Sequence, residues 1–182
     1  MANFRASKVQ TARALCEQGA WREALALAQR WQVETPGDAR AFFFEGAALA
    51  GLGRWVEAET AYYRALALDE TDFKTWNNLA GLLFDRLEQP AEGVKCLAQA
   101  MKLDPGNQLG WANLAGMHGR LGRPREALEC ADRALALNPE MAEALLHRGR
   151  AGQALGRPEI VRAACEALGR LPPEKFKRAR GG

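Results

Sequence analysis

The side chains that most readily do chemistry are few in this chain, and their spacing argues against catalysis. Four cysteines, Cys16, Cys96, Cys130 and Cys165, form no C-x-x-C pair. The ligand spacing of a zinc site or a redox dithiol is therefore missing, and the four read as small buried thiols. The only histidines are His118 and His147, so a zinc site would need an unusual ligand set. There is no glycine-rich phosphate loop, no G-x-S-x-G and no H-E-x-x-H. Glu23, Glu57 and Glu126 recur in phase, but each sits where a helix starts. A carboxylate there complements the helix dipole and needs no acid–base role. The expectation is no catalytic residue, no metal, no cofactor and no enzyme. A different chemistry is open to Asn78 and Asn113, which are also in phase. An amide donates and accepts at once, so a row of amides can pair with the backbone of an extended peptide. Asparagine is a poor helix former, and the alternative is that it merely faces solvent on an exposed helix.

These residues are carried by elements that repeat about every 34 residues. Gly19-Ala20-Trp21-Arg22-Glu23-Ala24, Gly53-Arg54-Trp55-Val56-Glu57-Ala58 and Gly122-Arg123-Pro124-Arg125-Glu126-Ala127 are one phrase that ends one helix and opens the next. Ala-Leu-Ala-Leu recurs at 65–68 and 134–137. A fixed period of this length means one supersecondary unit stacked on its copies. The spacing predicts repeats at 5–38, 39–72, 73–107, 108–141 and a degenerate capping repeat at 142–175, followed by a basic tail at 176–182. First helices are expected near 5–18, 39–52, 73–87, 108–121 and 142–155, and second helices near 21–34, 55–68, 90–103, 124–137 and 158–169. Gly19, Gly53, Gly122 and Gly156 stand where a left-handed backbone ends a helix. Pro90, Pro124 and Pro158 open second helices. Asp38, Asp72 and Asn107 are placed to cap first helices.

Trp76-x-x-Leu79-Ala80, and Trp111-x-x-Leu114-Ala115 followed by Ala127, Ala134 and Pro139, resemble the tetratricopeptide repeat. The resemblance covers nearly the whole chain. It implies an all-α, right-handed α-solenoid of about ten helices, a single domain over 5–175. Three departures stand out. The third repeat is one residue longer near Asp85-Arg86-Leu87, which should distort that helix or its turn. Trp31 takes the place of a small alanine. In the fifth repeat Val161 and Leu168 replace alanines, and 158–171 reads as a cap.

Members of that family coil so that first helices line a concave groove. Carried onto this chain, the groove positions are Val9, Gln10 and Arg13; Arg40, Phe43, Phe44 and Ala47; Lys74, Asn77, Asn78 and Gly81; Leu109, Ala112, Asn113, Gly116 and Arg120; and Glu143, Leu146, His147 and Arg150. Gln10 and His147 would extend the asparagine row. Phe42 is expected to fill the buried aromatic slot, leaving Phe43 or Phe44 as an anchor pocket in the groove. The alternative is that Phe43 or Phe44 packs on the first repeat. His118 lies where the family usually places tyrosine, which favours a packing role. The two-carboxylate clamp of some members finds only isolated matches, and that clamp reads as absent.

The formal charge is +3, and residues 170–182 carry +4 of it, so the array itself sits near neutrality. That disfavours nucleic acid as a partner. No apolar run approaches the ~18 residues of a membrane span, and no secretory leader is visible, so a cytoplasmic location is the expectation. The function expected is a protein-binding adaptor or scaffold. It would hold an extended polypeptide, acidic or ending in a free carboxylate, beside the basic groove residues Arg13, Arg40, Lys74, Arg120 and Arg150. Three alternatives stay open: a chaperone for a secreted client, an accessory module beside an enzyme, and self-assembly into homo-oligomers through Trp21, Trp31 or the fifth repeat.

Overall fold

The computed structural model describes residues 2–172, which form ten α-helices and, among the described residues, no strand. They are α1 (Ala2–Glu17), α2 (Trp21–Glu34), α3 (Ala39–Gly51), α4 (Trp55–Leu68), α5 (Phe73–Asp85), α6 (Pro90–Leu103), α7 (Gln108–Arg120), α8 (Pro124–Leu137), α9 (Ala142–Ala154) and α10 (Pro158–Gly169). The chain divides into two compact units, Met1–Cys96 and Leu97–Gly182. The basic tail expected at 176–182 lies outside the described residues.

Helices begin and end where local chemistry dictates. Asp38 Oδ1 accepts from the Arg40 N–H at 3.2 Å, Asp72 Oδ1 from the Lys74 N–H at 3.2 Å, and Asn107 Oδ1 from the Gly110 N–H at 3.0 Å. Each satisfies an amide that the first turn of a helix leaves unpaired. Trp76 donates its indole N–H to the Glu70 carbonyl and Trp111 to the Pro105 carbonyl, at 2.8 and 2.9 Å. The recurring tryptophan thus ties each first helix to the loop before it.

The turn between α5 and α6 departs from the others. Three residues separate the helices at 52–54, 121–123 and 155–157, whereas four do so at 86–89. In the short turns the closing N–H reaches back five residues, as from Arg54 to the Leu49 carbonyl at 2.9 Å; here Gln89 reaches back six, to Leu83, at 2.9 Å. Glu88 takes the left-handed conformation at φ 53°, where Gly19, Gly53, Gly122 and Gly156 take it elsewhere. A side chain in that conformation costs about 1–2 kcal/mol. The additional residue is absorbed by the turn, and α5 keeps the same 13 residues as α3 and α7.

The first unit packs its hairpins through small residues. Ala12, Ala24, Ala58 and Ala80 are fully buried. A Cβ on Gly93 would lie 2.8 Å from the Ala80 carbonyl, so the α5–α6 approach leaves room for glycine alone. Around α2 and α3 the core is aromatic: Trp31 is 1% exposed and stacks on Phe44 with ring centroids 6.2 Å apart. Trp21 packs over Gly51, where a Cβ would meet its ring. In the second unit Ala112, Ala134 and Ala144 form an alanine core beside Trp111, Leu135 and Met141. Leu171, just after α10, is buried on Ala142 and Leu145.

Candidate functional site

Among the basic side chains expected in the groove, the second unit brings two together with a histidine. The last turn of α7 and the middle of α9 bound a pocket of about 290 Å³ that contains Arg120, His147 and Arg150. Its walls are small: Ala115, Gly116, Gly119, Ala127 and Ala151. The turn at Gly122 (φ 67°) and Pro124, the first residue of α8, close one side. The space exists because Gly116 carries no side chain. A Cβ there would stand 3.0 Å from His147 Cε1 and 3.1 Å from Nε2, so the imidazole rests on the bare α7 backbone.

The electrostatics favour an anion. Burial, and then the charge of Arg150, push the His147 imidazole below its usual 6.5. Burial and Arg150 thus favour the neutral ring, and both pocket arginines are exposed. A carboxylate entering the pocket meets two guanidiniums, which bind planar oxyanions in a fork geometry. Asn113 is half-buried on α7, three residues before Gly116 and so on the same helix face.

The expected groove residues Arg13, Arg40, Phe43, Phe44, Lys74, Asn77 and Asn78 lie in the first unit, where several are engaged with neighbours. Arg13 and Lys74 are exposed, the latter with its ammonium 5.9 Å from the Phe73 ring. Arg40 grips Asp38 through two hydrogen bonds of 2.8 and 2.7 Å and lies 5.6 Å over the Trp31 ring. That guanidinium holds the Asp38 carboxyl below the usual carboxylate range. Asn77 and Asn78 are half-buried. The Asn78 side chain faces the buried Tyr62 hydroxyl and partly offsets the upward push that burial gives its pKa.

Four expectations need correction. Phe44 does not open to a groove: it is 6% exposed, wedged between Trp31 and the edge of Phe43. Phe42, expected in the buried slot, is only half-buried. The reason is Trp31, whose large ring draws Phe44 inward. Phe43 is half-buried and shared between Phe44 and Tyr62. Trp31, being buried, is no surface for self-assembly. The cysteines are not uniformly buried either. Cys96 and Cys130 are, with burial pushing both thiols up to about 11, but Cys165 is exposed and Cys16 half-buried. His118 is half-buried with its Nδ1 enclosed and unpartnered, and burial lowers its pKa.

Gly116 was visible in the sequence as a groove position, but its use as the floor under His147 was not. Tyr62 is 2% exposed on α4, and nothing in the repeat pattern marks it as a neighbour of Asn78.

The family model described as Tetratricopeptide repeat matches residues 9–73 and 117–172, and a second model of that description matches residues 73–107. A search of curated protein sequences finds no significant match. Among solved structures, MamA is similar with a TM-score of 0.77 and 17% identity, over 98% of this chain and 94% of that one. YrrB, a TPR protein with an unusual peptide-binding site, is similar with a TM-score of 0.74 and 18% identity, over 95% and 90%. Pseudomonas aeruginosa PilF gives 0.80 and 19%, over 91% and 75%. At such identities the likeness shows the fold, an all-α solenoid of paired helices. No helix among the described residues is long and apolar enough to cross a membrane.

Proposed function

Because this chain belongs to the tetratricopeptide repeat family, we propose that it is a non-catalytic interaction scaffold whose second unit holds a polypeptide by a carboxylate. The single observation that carries this reading is the convergence of Arg120, His147 and Arg150 on one pocket with small-residue walls. An acidic side chain or a free C-terminus supplies the anion. Asn113, on the same face of α7, is positioned to pair with the backbone of the segment that leads into the pocket. The similarity to YrrB supports peptide binding as something this fold accommodates. The pocket is preformed by a glycine and alanines, so binding requires little ordering of the protein. His147 is no general base: its charged neighbour is an arginine, which cannot accept the imidazole N–H and orient the ring.

The test is fluorescence anisotropy with a panel of labelled acidic peptides, each made with a free and with an amidated C-terminus. Arg120→Glu and Arg150→Glu should each weaken the best binder at least about tenfold, the scale for a charged anchor. Circular dichroism on each variant separates lost binding from lost folding. Unaltered binding in both variants would remove the pocket from the function.

A further inference from the structure

The second unit carries another cleft, of about 440 Å³, where the C-terminal half of α6 meets α7 and α8. Its floor is apolar: Met101, Leu114 and Cys130 are 2%, 4% and 7% exposed. Trp111 forms a wall whose orientation is set by its hydrogen bond to the Pro105 carbonyl, and the Arg133 guanidinium lies 4.7 Å over the ring. The rim is charged with opposite signs at its two ends. Glu126 and Glu129 stand on the N-terminal half of α8, and Arg133 stands toward its C-terminal end. Glu126 and Arg133 are two helical turns apart on one face, roughly 10 Å along the axis. Lys102, on α6, adds a second cation to the rim.

The first unit shows that the fold does not demand this apolar floor. By repeat register Gln32 stands in the place of Met101, and Glu45 in the place of Leu114. There Gln32 donates to Glu45 Oε2 at 2.8 Å, and the cleft beside Glu45, at about 190 Å³, is lined by Glu57, Thr60 and Arg64. The same repeat geometry is satisfied by a polar pair in one unit and by apolar side chains in the other.

We propose that the cleft between α6 and α8 docks a helical segment of a partner protein of one charge pattern. That segment presents a single large apolar side chain, phenylalanine-sized, between a basic residue on one side and an acidic residue on the other, two turns apart. The apolar side chain enters the floor at Met101 and Leu114. The basic residue faces Glu126 and Glu129, and the acidic residue faces Arg133 and Lys102. Charge complementarity selects the segment and sets its direction, while the apolar anchor supplies most of the affinity. This surface is separate from the His147 pocket, which takes an anion.

The test is anisotropy of the full chain with four labelled alanine-based peptides, each about 20 residues long so that the helix is populated. One carries Lys, Phe and Glu at i, i+4 and i+7. The others carry Lys–Ala–Glu, Lys–Phe–Lys and Glu–Phe–Glu at those places. Lys–Phe–Glu should bind tightest, and loss of the Phe should weaken it about tenfold. The double variant Lys102→Glu with Arg133→Glu makes the rim wholly acidic and should switch the preference to Lys–Phe–Lys. Because this is a gained preference, it is not mimicked by unfolding, and circular dichroism verifies helicity. Equal binding of all four peptides, or no switch in the double variant, overturns the proposal. So does self-association of the chain that the same double variant abolishes, which would assign the cleft to a second copy.

Discussion

The same repeat position holds Phe44 in the first unit and His147 in the second, each the sixth residue of its helix, α3 or α9. Phe44 is core and His147 borders a pocket. The difference comes from what stands opposite. The eleventh residue of the preceding helix is Trp31 before α3 and Ala134 before α9. A tryptophan fills the space between the helices and needs an aromatic to cover it. An alanine leaves room, and Gly116 adds to it, so a half-buried imidazole suffices. The clefts beside Glu45 and beside Leu114 also differ, with Gln32 and Glu45 paired in one unit and Met101 and Leu114 left apolar in the other. One repeat position thus becomes core or pocket wall according to its neighbour.

The strongest way to break this comparison is to remove the large side chain. Trp31→Ala should destabilise the first unit by about 3–5 kcal/mol, the range for a large buried aromatic. His147→Ala should cost less than about 1 kcal/mol, because little of its surroundings depends on it. Hydrogen exchange resolved by helix is the measurement; equal losses would mean that both slots are structural. Gly116→Ala is the sharper and smaller perturbation. The new methyl must displace the His147 ring, and peptide affinity should drop about fivefold, equivalent to ~1 kcal/mol. Helix propensity favours alanine over glycine by ~1 kcal/mol, so the melting temperature should hold or rise while binding falls. A variant that binds normally would show that the imidazole does not shape the pocket.

The smallest effect expected is on pH. Burial and Arg150 lower the His147 pKa from 6.5 in the unbound fold, so the unfolded chain takes up the proton first. The contribution of His147 to stability is therefore full above the unfolded value and declines as pH falls below it. A bound carboxylate offsets the two arginines and favours the imidazolium. Acidic-peptide affinity should rise two- to threefold (roughly 0.5 kcal/mol) from about pH 7 to about pH 5.5 in the wild type and stay flat in His147→Gln. A flat wild-type profile would separate the histidine from anion binding.

Much of this molecule was legible from spacing alone. The second helices run Trp21–Glu34, Trp55–Leu68, Pro90–Leu103 and Pro124–Leu137, where the Gly, Pro and Glu-Ala phrases placed them. The capping roles of Asp38, Asp72 and Asn107 were readable because a cap acts within one turn of its own backbone. The orientation of three consecutive phenylalanines was not readable. Periodicity says that they cannot share one face, but which one turns inward depends on Trp31, a residue of another helix. The approach of Asn78 to the Tyr62 hydroxyl is of the same kind, made between α5 and α4.

The amino-acid sequence by itself determined the repeat period, the helix ends and the family, because those follow from interactions among residues a few positions apart. Only the tertiary structure decided which members of an equivalent set become core, which become a pocket and which are already engaged. The His147 pocket depends on Gly116, 31 positions earlier, and the burial of Phe44 on Trp31, 13 positions earlier. Packing is a matter of volumes meeting across helices, and a side chain's partner in space is not written in its own repeat.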